Sequence, residues 1–402
     1  MIARSLVALG LGALAARTCR GSVLAIAAVA ALAVVACGDG GATSAAVPAT
    51  EPEATLPSPA TPPTSTPATT TPSSPTGDGG LPDADAATSI TPTMIANASC
   101  ASAVPAGAKV APALPAYAGT CPALAAAPSF TTLTSSGASR QVIVFRPQTI
   151  APGETLPVVF LWHWLGGSPE AMGSTLEVQA AVDVRRFIGV IPAPKGDALF
   201  RWPFEASQSQ ARVEEEARFF DDMLACVGAA LPVNKDCVSS AGVSAGALWT
   251  TQLAVVRSER LSSMVSLSGG TGGVVRPWSP TPHRLPALVL WGGPSDIYPA
   301  NVPIMNFEKA SKNLTSALAS DGHFFVECTH NCGHAVPPFD APAAGSGGLL
   351  FDPLWRFVLD HPYWLGASQS PYVNKPLPPF YPAWCGKGQG SATPRPSGAA
   401  CN

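Results

Sequence analysis

Five residues, Gly242-Val243-Ser244-Ala245-Gly246, have types and a spacing that can do chemistry. A serine hydroxyl is a weak nucleophile. It attacks a carbonyl when an imidazole takes its proton and a carboxylate fixes that imidazole's tautomer. The pattern G-x-S-x-G suits a serine on a sharp strand-to-helix turn, because two glycines leave room for a strained bend. The flanks agree. Cys237–Ala241 reads as a short buried strand, and Ala245–Val256 reads as a helix free of proline. The start of such a helix offers unpaired N–H groups and a positive dipole end to a developing oxyanion, with Ala245 as the first donor.

Candidates for the other two roles lie downstream. Leu288-Val289-Leu290-Trp291 reads as a strand and runs into Gly-Gly-Pro-Ser, placing Asp296 on a loop past a strand end. Asp321 and Asp340 compete with it, but Asp321-Gly322 has the composition of a turn. His334 follows the strand-like Phe324–Glu327. Its rivals are His163, His283, His323, His330 and His361. Of these, His323 begins a strand, His361 follows the last helix, and His163 belongs to the glycine-rich loop His163–Gly167 after the strand Val158–Trp162.

Strands must position these groups. Strand-like runs are Gln141–Phe145, Val158–Trp162, Phe187–Ile191, Cys237–Ala241, Met264–Leu267, Ala287–Trp291 and His323–Glu327. Helix-like runs are Ser207–Ala230, Ala245–Val256, Val302–Ala319 and Phe351–Leu359, followed by a proline-rich irregular tail. This alternation predicts an α/β protein with a mostly parallel sheet covered on both faces. Ligands then bind at the carboxyl ends of the strands, where all three candidates fall. Glu214, Glu215, Glu216, Asp221 and Asp222 share the helix over 207–230 and read as its solvated face.

The order Ser244, Asp296, His334 and four stretches resemble the secreted esterases of the α/β-hydrolase superfamily. The stretches are WHWLGGSPEAM, LPVNKDCVSSAGVSAGA, ALVLWGGPSDIY and CGHAVPP. The resemblance covers about Arg140–Asp360 and is strongest to the polyhydroxybutyrate depolymerase and feruloyl esterase group. It implies an α/β-hydrolase fold and a serine esterase working through an acyl-enzyme, with no metal or organic cofactor. It also implies that the loop after Trp162 supplies a second oxyanion donor. His163-Trp164 stands where such loops carry His-Gly, so that donor is expected at Trp164 or Leu165, and Trp164 is expected to line the acyl or alcohol pocket. Trp162, Trp202 and Trp249 are candidates for an aromatic subsite, with core packing as their other reading. Pro203-Phe204 and the Ser268–Gly273 loop are further candidates for the pocket border. The expected substrate is an ester, polymeric or derived from plant walls. No separate polymer-binding segment is recognised, which favours a soluble or oligomeric ester or a plant-wall ester. The other readings are an inactive surface-binding lipoprotein on a hydrolase scaffold, or a lipase or peptidase of the same fold.

The chain begins with a signal-like segment, 1–36. Arginines 4, 17 and 20 precede an apolar run too short for a confident membrane span. Val34-Val35-Ala36-Cys37 resembles a bacterial lipobox, which predicts a lipid anchor on Cys37 and an extracytoplasmic protein, membrane-anchored or secreted. Residues 37–95 are rich in Pro, Thr, Ala and Ser, and read as a disordered linker spanning about 40 Å if it is a flexible coil. Residues 96–402 form the catalytic domain. The eight remaining cysteines, Cys100, Cys121, Cys226, Cys237, Cys328, Cys332, Cys385 and Cys401, read as disulfides in an exported chain. Pairing sequence neighbours gives 100–121, 226–237, 328–332 and 385–401. The alternative for Cys328, His330, Cys332 and His334 is a zinc site. A net charge of −3 with 12% charged residues argues against a nucleic-acid partner. Nothing in the sequence sets an oligomeric state.

Overall fold

The computed structural model describes residues 91–300, 304–342, 348–366 and 369–401. The signal-like segment, Cys37 and nearly all of the expected linker lie outside the described residues. Where the linker was expected to end, Pro92–Ala96 forms a short helix, α1, with Thr91 as its cap. The elements then run β1 (Phe130–Ser135), β2 (Ala138–Phe145), β3 (Leu156–Trp162), α2 (Pro169–Thr175), α3 (Val178–Arg185), β4 (Ile188–Pro192), α4 (Gln210–Ala230), β5 (Val233–Val243), α5 (Ala245–Arg257), β6 (Ser263–Leu267), β7 (Ala287–Trp291), β8 (Ile297–Tyr298), β9 (Met305–Asn306), α6 (Phe307–Ser320), β10 (Phe325–Thr329), α7 (Asp352–Leu359) and β11 (Cys385–Lys387). Among the described residues, no helix is long and apolar enough to cross a membrane.

Nine strands form one sheet in the order β1-β2-β4-β3-β5-β6-β7-β10-β11. The six from β4 to β10 are parallel, and the pairs β1–β2, β2–β4 and β10–β11 are antiparallel. All seven residues of β3 are buried, as a strand covered on both faces requires. Val158, Phe160 and Trp162 point into a core shared with α4, α5 and α6. Val159 and Leu161 point into the opposite core with α2, α3 and α7. α4 and α6 begin at side-chain caps: Ser209 Oγ accepts the Arg212 N–H, and Asn306 Oδ1 accepts the Lys309 N–H.

Two expectations need correction. The acids of α4 are not a uniformly solvated face. Glu216 is fully buried, 2.6 Å from Arg140 and 2.8 Å from Arg212, and Asp222 Oδ2 accepts the Ser135 hydroxyl at 2.7 Å. The β1–β2 hairpin, whose first strand the hydrophobic pattern did not reveal, covers that side of the helix and brings Arg140 and Ser135 with it.

The cysteines also pair across the fold rather than along the chain. The bridges are Cys100–Cys237, Cys121–Cys226, Cys328–Cys385 and Cys332–Cys401. Cys328 lies on β10, which ends one residue later at Thr329, and Cys332 sits in the following loop, where it meets Cys401. Directly across the ladder, Cys328 faces Cys385 with Cα atoms 4.1 Å apart. The first two bridges staple the segment before β1 to β5 and α4. The zinc reading fails because both sulfurs it needs are in disulfides. Bridges of this kind persist in oxidising compartments, in keeping with an extracytoplasmic protein.

Candidate active site

Ser244 sits between β5 and α5 with φ 54° and ψ −120°, a backbone conformation costly for any residue but glycine. Its N–H donates to the Leu267 carbonyl of the neighbouring strand at 2.9 Å. The two glycines of the motif are needed for contact. A Cβ on Gly242 would overlap the Gly246 carbonyl, and one on Gly246 would overlap the carbonyls of Trp162 and His163. The turn therefore presses α5 directly against the end of β3, and the serine projects from the carboxyl edge of the sheet.

His334 and Asp296 arrive from two other strand ends. The loop after β10 brings His334 Nε2 to 2.9 Å from Ser244 Oγ, and His334 Nδ1 lies 2.7 Å from Asp296 Oδ1. Asp296 follows β7 and is fully buried, whereas the His334 side chain stays 21% exposed at the cleft. The second carboxylate oxygen accepts the Ser268 hydroxyl at 2.7 Å and the Gly292 N–H at 2.8 Å. With Nδ1 donating to Asp296, Nε2 is free to accept the serine proton. The rival acid Asp321 instead meets His323 Nε2 at 3.0 Å, and His361 bonds Ser370. His330 is buried behind the site, where burial lowers its pKa to about 4.

The loop after β3 packs beside the serine. Leu165 and Ala245 border the site together with Ser244. As the first residue of α5, Ala245 has no intrahelical acceptor for its N–H. The Trp164 carbonyl is turned inward, accepting from Gly167 N–H at 3.0 Å and lying 2.8 Å from His163 Nδ1. Trp164 lines the cleft with its side chain.

Trp162, Trp202 and Trp249 do not line it. All three are fully buried, and Trp162 packs edge-on against the other two. Their rings form the core beneath the site. Trp202 Nε1 donates to the His163 carbonyl at 2.8 Å, and so supports the loop. Alternation explains this: Trp162 ends a strand whose odd and even residues both face helices.

The groups that sequence reasoning missed are Phe307 and Tyr298, and, in its specific contact, Ser268. The Phe307 ring lies flat on the His334 imidazole, with centroids 4.3 Å apart and planes 12° apart, and Tyr298 leans on it at 5.7 Å. Tyr298 comes from β8, outside every element read from the sequence, whereas Phe307 opens α6 inside the helix-like run Val302–Ala319, whose pattern does not tell that this ring meets His334. Ser268 had one available signal, its place at the carboxyl end of a strand beside the elbow.

No protein-family model matches this sequence, and no curated protein matches it. Solved structures do match its shape. The native crystal structure of sOPH superposes with a TM-score of 0.51 at 17% identity, over 68% of this chain and 97% of that one. A pOPH variant in complex with DMSO gives a TM-score of 0.52 at 16% identity, over 68% and 98%. The chain has the α/β-hydrolase fold. This hydrolase fold accounts for the order in which the three residues occur and for their common position at the carboxyl edge of the sheet. A structure of a ferulic acid esterase also matches, with a TM-score of 0.40 at 16% identity, over 52% of this chain and 91% of that one.

Proposed function

We propose that this protein is a serine esterase that hydrolyses carboxylic esters. The observation that carries the reading is the unbroken relay from Ser244 Oγ through His334 to the buried Asp296 carboxylate. In this reading Ser244 Oγ bonds to the ester carbonyl carbon while His334 Nε2 takes its proton. The N–H groups of Ala245 and of Leu165 or Trp164 receive the oxyanion. The tetrahedral intermediate collapses, the bond to the alcohol oxygen breaks, and His334 returns the proton to that oxygen. Water, deprotonated by His334, then attacks the acyl-serine and releases the acid. The Asp296 carboxylate orients the ring and stabilises the imidazolium formed in each step.

The four disulfides and the lipobox-like Cys37 support placing this chemistry outside the cytoplasm, on a membrane tether or secreted. The test is hydrolysis of p-nitrophenyl acetate and butyrate by the oxidised protein beside Ser244→Ala. Activity lost in the variant, with near-ultraviolet circular dichroism unchanged, is the expected result. Full activity in Ser244→Ala refutes the assignment.

A further inference from the structure

The His334 imidazole meets Ser244 and Asp296 at its two nitrogens, and a third residue covers its face. The buried Phe307 ring lies on it with centroids 4.3 Å apart and planes only 12° apart. Tyr298, the other ring beside His334, is tilted by 49° at 5.7 Å and is half exposed, so it does not cover the imidazole in the same way.

The position of Phe307 is fixed from both ends. As the first residue of α6 it has no intrahelical acceptor for its N–H, and that N–H donates to the Asp296 carbonyl at 2.8 Å. Further along α6, the Ala310 carbonyl accepts the Thr271 N–H at 3.1 Å, and the Ser311 hydroxyl donates to the Gly269 carbonyl at 3.1 Å. The loop that makes these bonds is the one whose Ser268 donates to Asp296 Oδ2. Asp296 therefore holds His334 through its carboxylate and Phe307 through its backbone.

The face of an aromatic ring carries the negative end of its quadrupole and attracts a cation more than a neutral ring. In the esterase cycle the imidazole is neutral before each step and cationic within it. A ring on its face thus gains more in the transition state than before it, and a difference of this kind raises kcat. We propose that Phe307 is a positioning residue, whose ring holds the imidazole between Ser244 and Asp296 and stabilises the imidazolium formed in each step. The inference rests on the serine-esterase reading above and adds a residue to it.

The experiment follows p-nitrophenyl acetate hydrolysis by the oxidised protein. Position 307 carries phenylalanine, or phenylalanine with one, two or three ring fluorines introduced by stop-codon suppression, and Phe307→Leu is measured beside them. Each fluorine withdraws charge from the ring face and changes the ring's shape little. A cation on an aromatic face gains about twofold to fivefold at exposed sites and about thirtyfold where water is excluded. The His334 side chain is 21% exposed, between these limits. The expected result is that kcat falls with each fluorine, by at least about threefold for three, with KM within about twofold. Phe307→Leu keeps a buried apolar side chain without a π face, and should lower kcat about tenfold with KM again within about twofold. A ring that only fills space would leave the fluorine series flat. A flat series, or a leucine variant with kcat within about twofold of wild type, overturns the proposal and leaves the esterase reading standing. Where Phe307→Leu loses its near-ultraviolet circular dichroism, the fluorine series alone decides. Absence of Ser244-dependent hydrolysis overturns the esterase reading and the proposal with it, and it is seen in the wild type before position 307 is changed.

Discussion

Gly246→Ala tests how the elbow is built. In an exposed helix this change stabilises by up to about 1 kcal/mol, because alanine loses less backbone freedom than glycine. Here the new methyl would overlap the carbonyls of Trp162 and His163, which are backbone atoms of a buried strand end and cannot swing aside. Overpacking of this kind costs about 1–3 kcal/mol, which outweighs the propensity gain. The relief available is to move α5 away from the loop after β3, separating Ala245 from Trp164 and Leu165 beside Ser244. A displacement near 1 Å at a reacting centre costs on the order of a hundredfold in rate. The expected variant is therefore folded, with a lower urea midpoint, and about a hundredfold slower in kcat on p-nitrophenyl acetate. The urea titration and the kinetics are run on the same disulfide-intact sample. A variant as stable as wild type, with kcat within about twofold, would refute the close approach and the account of why the motif needs its second glycine.

Three further outcomes follow from the same geometry. Ser268→Ala removes one charge-assisted hydrogen bond from Asp296, so kcat should fall about tenfold to a hundredfold with little change in KM; an unaltered kcat would mean the bond does not steady the carboxylate. Glu216→Ala strands the buried Arg140 guanidinium and should cost about 3–5 kcal/mol by urea denaturation, whereas a loss below about 1 kcal/mol would return these acids to a solvated face. His361 is fully buried, and burial lowers its pKa from 6.5 to about 4. The unfolded chain takes up this proton before the folded one does. The stability it contributes is thus complete above pH 6.5 and is lost as pH falls towards 4. His361→Gln should flatten the dependence of stability on pH in that window by about 1.4 kcal/mol per unit, and parallel profiles would contradict the burial argument.

Much of the site was legible in the chain because its signals are local. The strand before Ser244, the glycines around it and the helix after it are adjacent in sequence, so pattern and turn chemistry place the serine without tertiary knowledge. Asp296 and His334 each follow an apolar run that can only be a strand, and a parallel sheet brings all such carboxyl ends to one edge. The distances joining them came from the fold. The sequence also recognised that the eight cysteines form disulfides, because composition carries that information.

What only the tertiary structure decided depends on contacts between distant residues. Disulfide partners are set by which Cβ atoms face each other across strands, and Cys328 faces Cys385 through ladder register that no spacing encodes. Glu216 looks like its exposed neighbours until the β1–β2 hairpin delivers Arg140 to it. Trp162, Trp202 and Trp249 have the chemistry of an aromatic subsite, but the twofold alternation of a doubly covered strand and the packing around it put them in the core. Tyr298 comes from an irregular excursion, and Phe307 from the start of a helix whose direction is set by what it packs against; only the fold brings both rings to His334. Local patterning thus determined the candidate residues Ser244, Asp296 and His334 and the edge on which they stand. Long-range packing determined the shape around them, because steric closure is a property of surfaces that meet only in the folded chain.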